Sequence, residues 1–140
     1  VEGALIAVAV LVAATVFGLA RRRRDGVLRA REGDGTMAEA LGADDIGAEL
    51  GDRATLVQFS SAFCAPCRAT RRVLGEVAAM VDGVAHVEID AEAHLDLVRR
   101  LDVIRTPTVL VLDSAGRVVR RATGAPRKAD VIAALGGAVS

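Results

Sequence analysis

Cys64 and Cys67 are the only cysteines in the 140-residue chain, and Ala65 and Pro66 stand between them. Sulfurs three residues apart on a helical turn come within bonding reach of each other. A thiolate at the first can attack a substrate disulfide. The second then attacks the mixed disulfide and releases reduced product. One pair is too few for a disulfide-stapled scaffold. A structural zinc site needs four ligands. The two histidines, His86 and His94, lie in no zinc-ligand spacing, so no metal is assigned. The chemistry carried by these residue types is dithiol–disulfide exchange, with no cofactor beyond the cysteine pair itself.

That chemistry needs a helix start. Pro66 is tolerated in the first helical turn, where its missing N–H would have gone unpaired. Cys64 is therefore predicted at a helix N-terminus, where free N–H groups and the positive dipole end favour a thiolate. The β-rich run Thr55–Ser60 leads into the cysteines, and Arg68–Val81 continues beyond them with Val73, Leu74, Val77 and Val81 at helical spacing. The remaining pattern predicts a short helix over Asp44–Leu50, a strand over Val84–Asp90 and a helix over Glu92–Leu101. A strand over Thr108–Leu112, a turn at Asp113–Gly116, a strand over Arg117–Thr123 and a closing helix over Arg127–Leu135 follow. His94 reads as a solvated helix residue. The order α–β–α–β–α–β–β–α predicts an α/β sandwich, with parallel strands first and an antiparallel hairpin last.

Composition narrows the function further. Hydrophobic residues make up 52% of the chain and charged residues 26%, which excludes disorder throughout. Equal numbers of acidic and basic side chains, 18 of each, argue against a nucleic-acid binder. Three phenylalanines with no Trp or Tyr do not suit base stacking.

The neutral total conceals a segregated chain. Ala4–Ala20 carries no charge, and four consecutive arginines follow. Residues 21–36 hold six arginines against three acids, a net of +3, while residues 37–140 carry a net of −2. Residues 3–20 are expected to form one membrane helix, near the lower length limit for crossing a bilayer. A cleaved signal peptide is the alternative, supported by Gly18-Leu19-Ala20, but its positive charge belongs before the apolar run. Residues 21–36 read as an Arg-rich linker beside anionic headgroups, and residues 37–140 as the folded domain. With arginines only on the C-terminal flank, the domain is expected in the cytoplasm and the N-terminus outside.

The segment Leu56–Arg68 (LVQFSSAFCAPCR) resembles the active-site strand, loop and helix start of thioredoxins. Val84–Asp90 resembles the family's central strand, and Arg105-Thr106-Pro107-Thr108 its cis-proline loop. Gly116 and Gly124 are similar to its hairpin-turn and later glycines. The resemblance covers about residues 37–140. It implies a thioredoxin-like three-layer sandwich with a mixed central sheet, preceded here by the membrane helix. It also implies Cys64 as nucleophile, Cys67 as resolving thiol, and Phe63, Ala65, Pro66, Thr106 and Pro107 as the substrate-binding wall. Three positions depart from the family: Phe63 stands for its Trp, Gln58 for its buried Asp, and His86 for the neighbouring Lys. Gln cannot ionise. Gln58 and His86 are the possible proton-transfer positions, and His86 either takes over that transfer or is simply a polar residue on a half-exposed strand face.

The expected activity is a membrane-tethered thiol:disulfide oxidoreductase that reduces protein disulfides, a role that a reducing cytoplasm favours. Implied partners are protein disulfides, the lipid bilayer and an upstream thiol donor such as a thioredoxin reductase. Nucleic acid is not among them, and a monomer is expected. An outward-facing domain would instead serve as an envelope oxidase or isomerase. A binding adaptor with little catalysis is the reading from another class, with Gln58 in its favour.

Overall fold

The computed structural model describes residues 1–30 and 40–139. Helix α1 spans Glu2–Arg24 and buries none of its side chains. Its most apolar window has a mean hydropathy of 2.5, so by length and composition it can cross a membrane, a test that a signal sequence also passes. Its one polar side chain within the apolar run, Thr15, donates its hydroxyl to the Leu11 carbonyl (2.8 Å), which satisfies it without water.

α1 continues four residues past the expected boundary at Ala20. Arginine is a good helix former, and four cations in the last turn lie at the negative end of the helix dipole. Asp25, with extended backbone, ends it. The expected linker is also more structured than its composition suggested. Arg29–Ala30 form a two-residue strand, β1. Residues 31–36 of the expected linker and 37–39 of the expected domain lie outside the described residues.

The folded part comprises α2 (Ala43–Ile46), β2 (Ala54–Ser60), α3 (Ala65–Met80), β3 (Val84–Asp90), α4 (Leu95–Arg100), β4 (Thr108–Asp113), β5 (Val118–Thr123) and α5 (Lys128–Ala138). The sheet order is β1-β5-β4-β2-β3. β2 runs parallel to β3 and antiparallel to β4, and β5 is antiparallel to both β4 and β1. This is the expected mixed sheet, with β1 as a short extra edge. All seven residues of β2 are buried, as a strand covered on both faces requires.

Alternation along the strands divides the core in two. Val57, Phe59, Leu110 and Leu112 face Leu41, Ile46, Leu97 and Leu101 from the α2 and α4 side. Leu56, Val109 and Val111 face Leu74, Val77, Val131 and Leu135 from α3 and α5. The result is a three-layer sandwich.

Element ends differ from the sequence expectation where local hydrogen bonds intervene. α2 stops at Ile46 because Gly47 turns left-handed (φ 70°). α4 begins at Leu95 rather than Glu92, since Asp90 first folds the chain into a turn. Its carboxylate accepts the Glu92 N–H (2.9 Å), and its carbonyl lies 2.9 Å from His94 Nδ1. His94 is accordingly an exposed residue at the entry of α4, outside the helix proper. In the β4–β5 turn, Asp113 Oδ1 accepts the N–H groups of Ala115 (3.0 Å) and Arg117 (2.9 Å). Gly116 (φ 82°) is needed there, because a side chain would run into the Leu41 carbonyl.

Candidate active site

Strand β2 delivers the chain to the site. After Ser60 a three-residue loop leads to Cys64, which occupies the N-cap of α3 with extended backbone (φ −95°, ψ 100°). Pro66 sits in the first turn, where no N–H is wanted. The Cys67 N–H points back at Cys64 Sγ (3.2 Å). The two sulfurs are bonded to each other, with a Cα–Cα separation of 5.2 Å. Cys64 is half-buried, whereas Cys67 is only 2% exposed. An incoming group therefore meets Cys64 first, and the cap N–H favours negative charge on that sulfur.

Around Cys64 the wall is open. Phe63 is fully exposed, and Ala65 and Pro66 are exposed beside it. Phe63 also adopts a left-handed backbone (φ 59°), unusual for a bulky residue.

The Thr106–Pro107 peptide is cis. Phe59 of β2 is opposite Thr108 of β4, so the proline loop and the cysteine loop leave the same end of the sheet. The hydroxyls of Ser61 and Thr106 tie them together at 2.7 Å. Pro107 is buried and its carbonyl accepts the Gly124 N–H (2.8 Å), while the Thr108 hydroxyl donates to the Arg105 carbonyl (2.6 Å).

Behind Cys67 lies a polar chain that runs from buried Gln58 and Ser60 to half-buried His86 and to exposed Glu88 and Arg71. Gln58 is fully buried, and its Nε2 donates to the Cys67 carbonyl (2.8 Å) and to Ser60 Oγ (3.0 Å). Its Oε1, an acceptor only, lies 3.1 Å from His86 Nε2, so that ring nitrogen carries the hydrogen. Ser60 Oγ donates to Glu88 Oε2 (3.2 Å), and Arg71 Nε donates to the same oxygen (2.7 Å). Both polar atoms of the buried Gln58 side chain and the buried Ser60 hydroxyl thus find partners, as burial demands. Burial holds the His86 ring below its ordinary basicity. The Glu88 carboxylate works against that shift and the Arg71 guanidinium adds to it.

The residues singled out in the sequence thus fall into two groups on either side of the disulfide. Phe63, Ala65 and Pro66 are exposed beside it, Thr106 is tied to the cysteine loop through Ser61 with Pro107 buried next to it in sequence, and Gln58 and His86 lie behind Cys67. Gln58 meets the carbonyl of Cys67 rather than its sulfur. Ser60, Ser61, Glu88 and Arg71 were not anticipated. Their partners are 2, 45, 28 and 17 residues away, and only the i, i+2 alternation of Gln58 and Ser60 on one face of β2 offered a sequence signal. Among the described residues, no group of three or more His, Cys, Asp or Glu side chains is placed to hold a metal ion.

Comparison with known proteins agrees with this geometry. The Thioredoxin family model matches residues 44–136. A thioredoxin of Mycolicibacterium smegmatis is 33% identical over 87 residues, 60% of this chain and 77% of that protein. Among solved structures, the short form of spinach chloroplast thioredoxin f superposes with a TM-score of 0.57 at 24% identity, covering 64% of this chain and 80% of the other. A reduced Schistosoma mansoni thioredoxin pre-protein gives 0.55 at 19% identity, covering 64% and 82%. At these identities the two structures speak to fold alone. With the family match spanning most of the folded part and the Cys64–Cys67 pair at the start of α3, the chain belongs to the thioredoxin family of thiol–disulfide oxidoreductases.

Proposed function

We propose that this protein is a membrane-tethered reductase of protein disulfides. The observation that carries the reading is the asymmetry of the Cys64–Cys67 pair, an accessible sulfur at the N-cap of α3 and a buried one a turn inside it. In the reduced protein the Cys64 thiolate attacks one sulfur of a substrate disulfide. That S–S bond breaks, and a mixed disulfide joins Cys64 to the substrate. Cys67 then attacks Cys64 Sγ, the Cys64–Cys67 bond forms, and the second substrate thiolate departs. Two electrons pass to the substrate, and the proton lost by Cys67 ends on a released thiolate. An upstream thiol donor of the thioredoxin-reductase type restores the dithiol, and no other cofactor takes part.

Phe63, Ala65 and Pro66 form the near wall for the substrate, and an extended substrate segment lies along Thr106 and Pro107, in the manner of an added strand. Gln58 and His86 act by position. Gln58 holds the Cys67 carbonyl and has no proton to give at neutral pH. His86 fixes the amide from its far side.

Helix α1 anchors the protein, and Arg21–Arg24 on its C-terminal flank favour a cytoplasmic domain by the positive-inside tendency. We read the protein as a monomer. Turbidity of insulin with dithiothreitol tests the activity. Wild type is expected to precipitate insulin and Cys64→Ser to match the blank. Equal rates would overturn the reductase and favour an adaptor. An impermeant thiol reagent applied to intact cells tests topology. Protection of Cys64 supports the cytoplasmic side, and labelling would make this an envelope enzyme.

A further inference from the structure

The junction between α1 and the domain is hydrogen-bonded at Asp25 and Gly26 and again at β1. Asp25, the first residue after α1, pairs with Arg105 (Oδ1–Nη2 2.7 Å), and the same Nη2 reaches the Thr123 carbonyl (3.3 Å). The Gly26 N–H donates to that carbonyl as well (2.9 Å). Arg29 and Ala30 then pair with Arg121 and Arg120. The Thr123 carbonyl belongs to the same peptide group as the Gly124 N–H, which donates to the carbonyl of the cis-proline, Pro107 (2.8 Å). One peptide unit therefore links the end of α1 to the substrate wall, and bond lengths put Gly26 N within about 8 Å of Pro107 O.

Both glycines at this junction are left-handed and tightly packed. A side chain at Gly26 (φ 75°) would run into the Ala125 carbonyl. One at Gly124 (φ 98°) would lie 3.1 Å from both Arg105 Nη2 and Gly26 N. The approach is thus close as well as bonded, and α1 attaches at the end of the sheet that carries Cys64. The far end of α3, at Met80, lies about 24 Å away along the helix. At the near end, Phe63 is fully exposed and Ile104, one residue before Arg105, is 81% exposed.

From this attachment we infer that the anchor holds the disulfide-exchange site toward the bilayer surface. Its substrates are then disulfides of membrane proteins lying close to the headgroups, rather than those of freely diffusing proteins. This rests on the membrane-anchored reductase reading above. Arg21–Arg24 place the headgroup level at the end of α1, and Asp25 and Gly26 carry that level to the proline loop. The apolar Phe63 and Ile104 suit a face that meets the boundary between a membrane protein and lipid.

The test uses the full chain in vesicles containing an acceptor dye on lipid headgroups. A donor dye is attached at Ile104→Cys or Met80→Cys in a Cys64→Ser, Cys67→Ser background. Energy transfer is expected to be several-fold stronger from position 104. Inserting a flexible Gly/Ser segment of about 20 residues between Arg24 and Asp25 should abolish the difference. Equal transfer from the two positions in the uninserted chain would overturn the orientation.

For the substrate class, a disulfide hairpin is fused to a single-span peptide either directly beside the membrane or on a spacer of roughly 40 residues. The native chain is expected to reduce the near hairpin at least about fivefold faster. The inserted chain should lose that preference while keeping its rate on insulin. Equal rates on both hairpins by the native chain would overturn the substrate assignment. Failure to reduce insulin as well would overturn the reductase reading itself, leaving the energy-transfer result to decide the orientation.

Discussion

The two sides of the Cys64–Cys67 bond are built differently. On the outer side Phe63, Ala65 and Pro66 are exposed. On the inner side Gln58, Ser60, His86 and Glu88 form one connected chain behind a buried Cys67. Exposed side chains without partners contribute mainly to what the site touches. Buried polar groups contribute to what the site is, because any one left unpaired in a dry interior costs about 1–3 kcal/mol. The outer wall should therefore govern substrate preference and the inner chain stability and the seating of Cys67.

Substitution on the inner side tests this most severely. Gln58→Ala removes both donors and the acceptor that join Cys67, Ser60 and His86. It should destabilise the fold by about 2–4 kcal/mol in urea unfolding. A change under half a kcal/mol for the alanine variant would erase the distinction between the two sides.

A smaller effect should appear with pH. The folded protein holds His86 below its ordinary value of 6.5, chiefly by burial. In the window between 6.5 and the lower folded value, the unfolded chain binds more protons. The stability from this group is therefore complete above about 6.5 and drains as pH falls toward the folded value. Wild type should lose stability between pH 7.5 and 5 that His86→Gln retains, and parallel curves for the two proteins would contradict this.

On the outer side the signs reverse. Phe63→Gly removes a side chain with no burial from a left-handed backbone (φ 59°). Relief of that strain is offset by glycine's greater freedom in the unfolded chain, so stability should shift by no more than about 1 kcal/mol. The KM for a protein disulfide should nevertheless rise, since the apolar wall beside Cys64 is gone. An unchanged KM would remove Phe63 from the substrate surface.

The smallest change is expected at the margin between the two regions. Arg71 is exposed, but it holds Glu88 at 2.7 Å and depresses His86. Arg71→Gln should move the His86 titration seen by NMR upward, because a positive neighbour is lost and the Glu88 charge is less compensated. A downward or absent shift would mean that the chain behind Cys67 ends before Arg71.

Much of the fold was legible because its signals are local. The uninterrupted apolar run of β2, the helical stripe of Leu74 and Val77 on α3 and the Asp-Ser-Ala-Gly turn each declare themselves within a few residues. Misread ends had equally local but side-chain-specific causes, such as Asp90 bonding the Glu92 N–H and delaying α4. The Arg-rich stretch was harder. Composition suggested a solvated linker, but arginines continue a helix readily. β1 exists because β5 offers an open edge, which the sequence around Arg29 and Ala30 does not show.

The sequence by itself determined the chemistry and the layers. Two thiols with a proline between them at a strand-to-helix junction already specify a dithiol pair with the first sulfur at a helix start, since all of this lies within four residues. Tertiary structure alone decided how that pair is held and where it faces. Ser61 meets Thr106 across 45 residues, His86 meets Gln58 across 28 and Asp25 meets Arg105 across 80. Such contacts follow from strand register and from which sheet edge a segment joins, and they arise only when distant elements have packed.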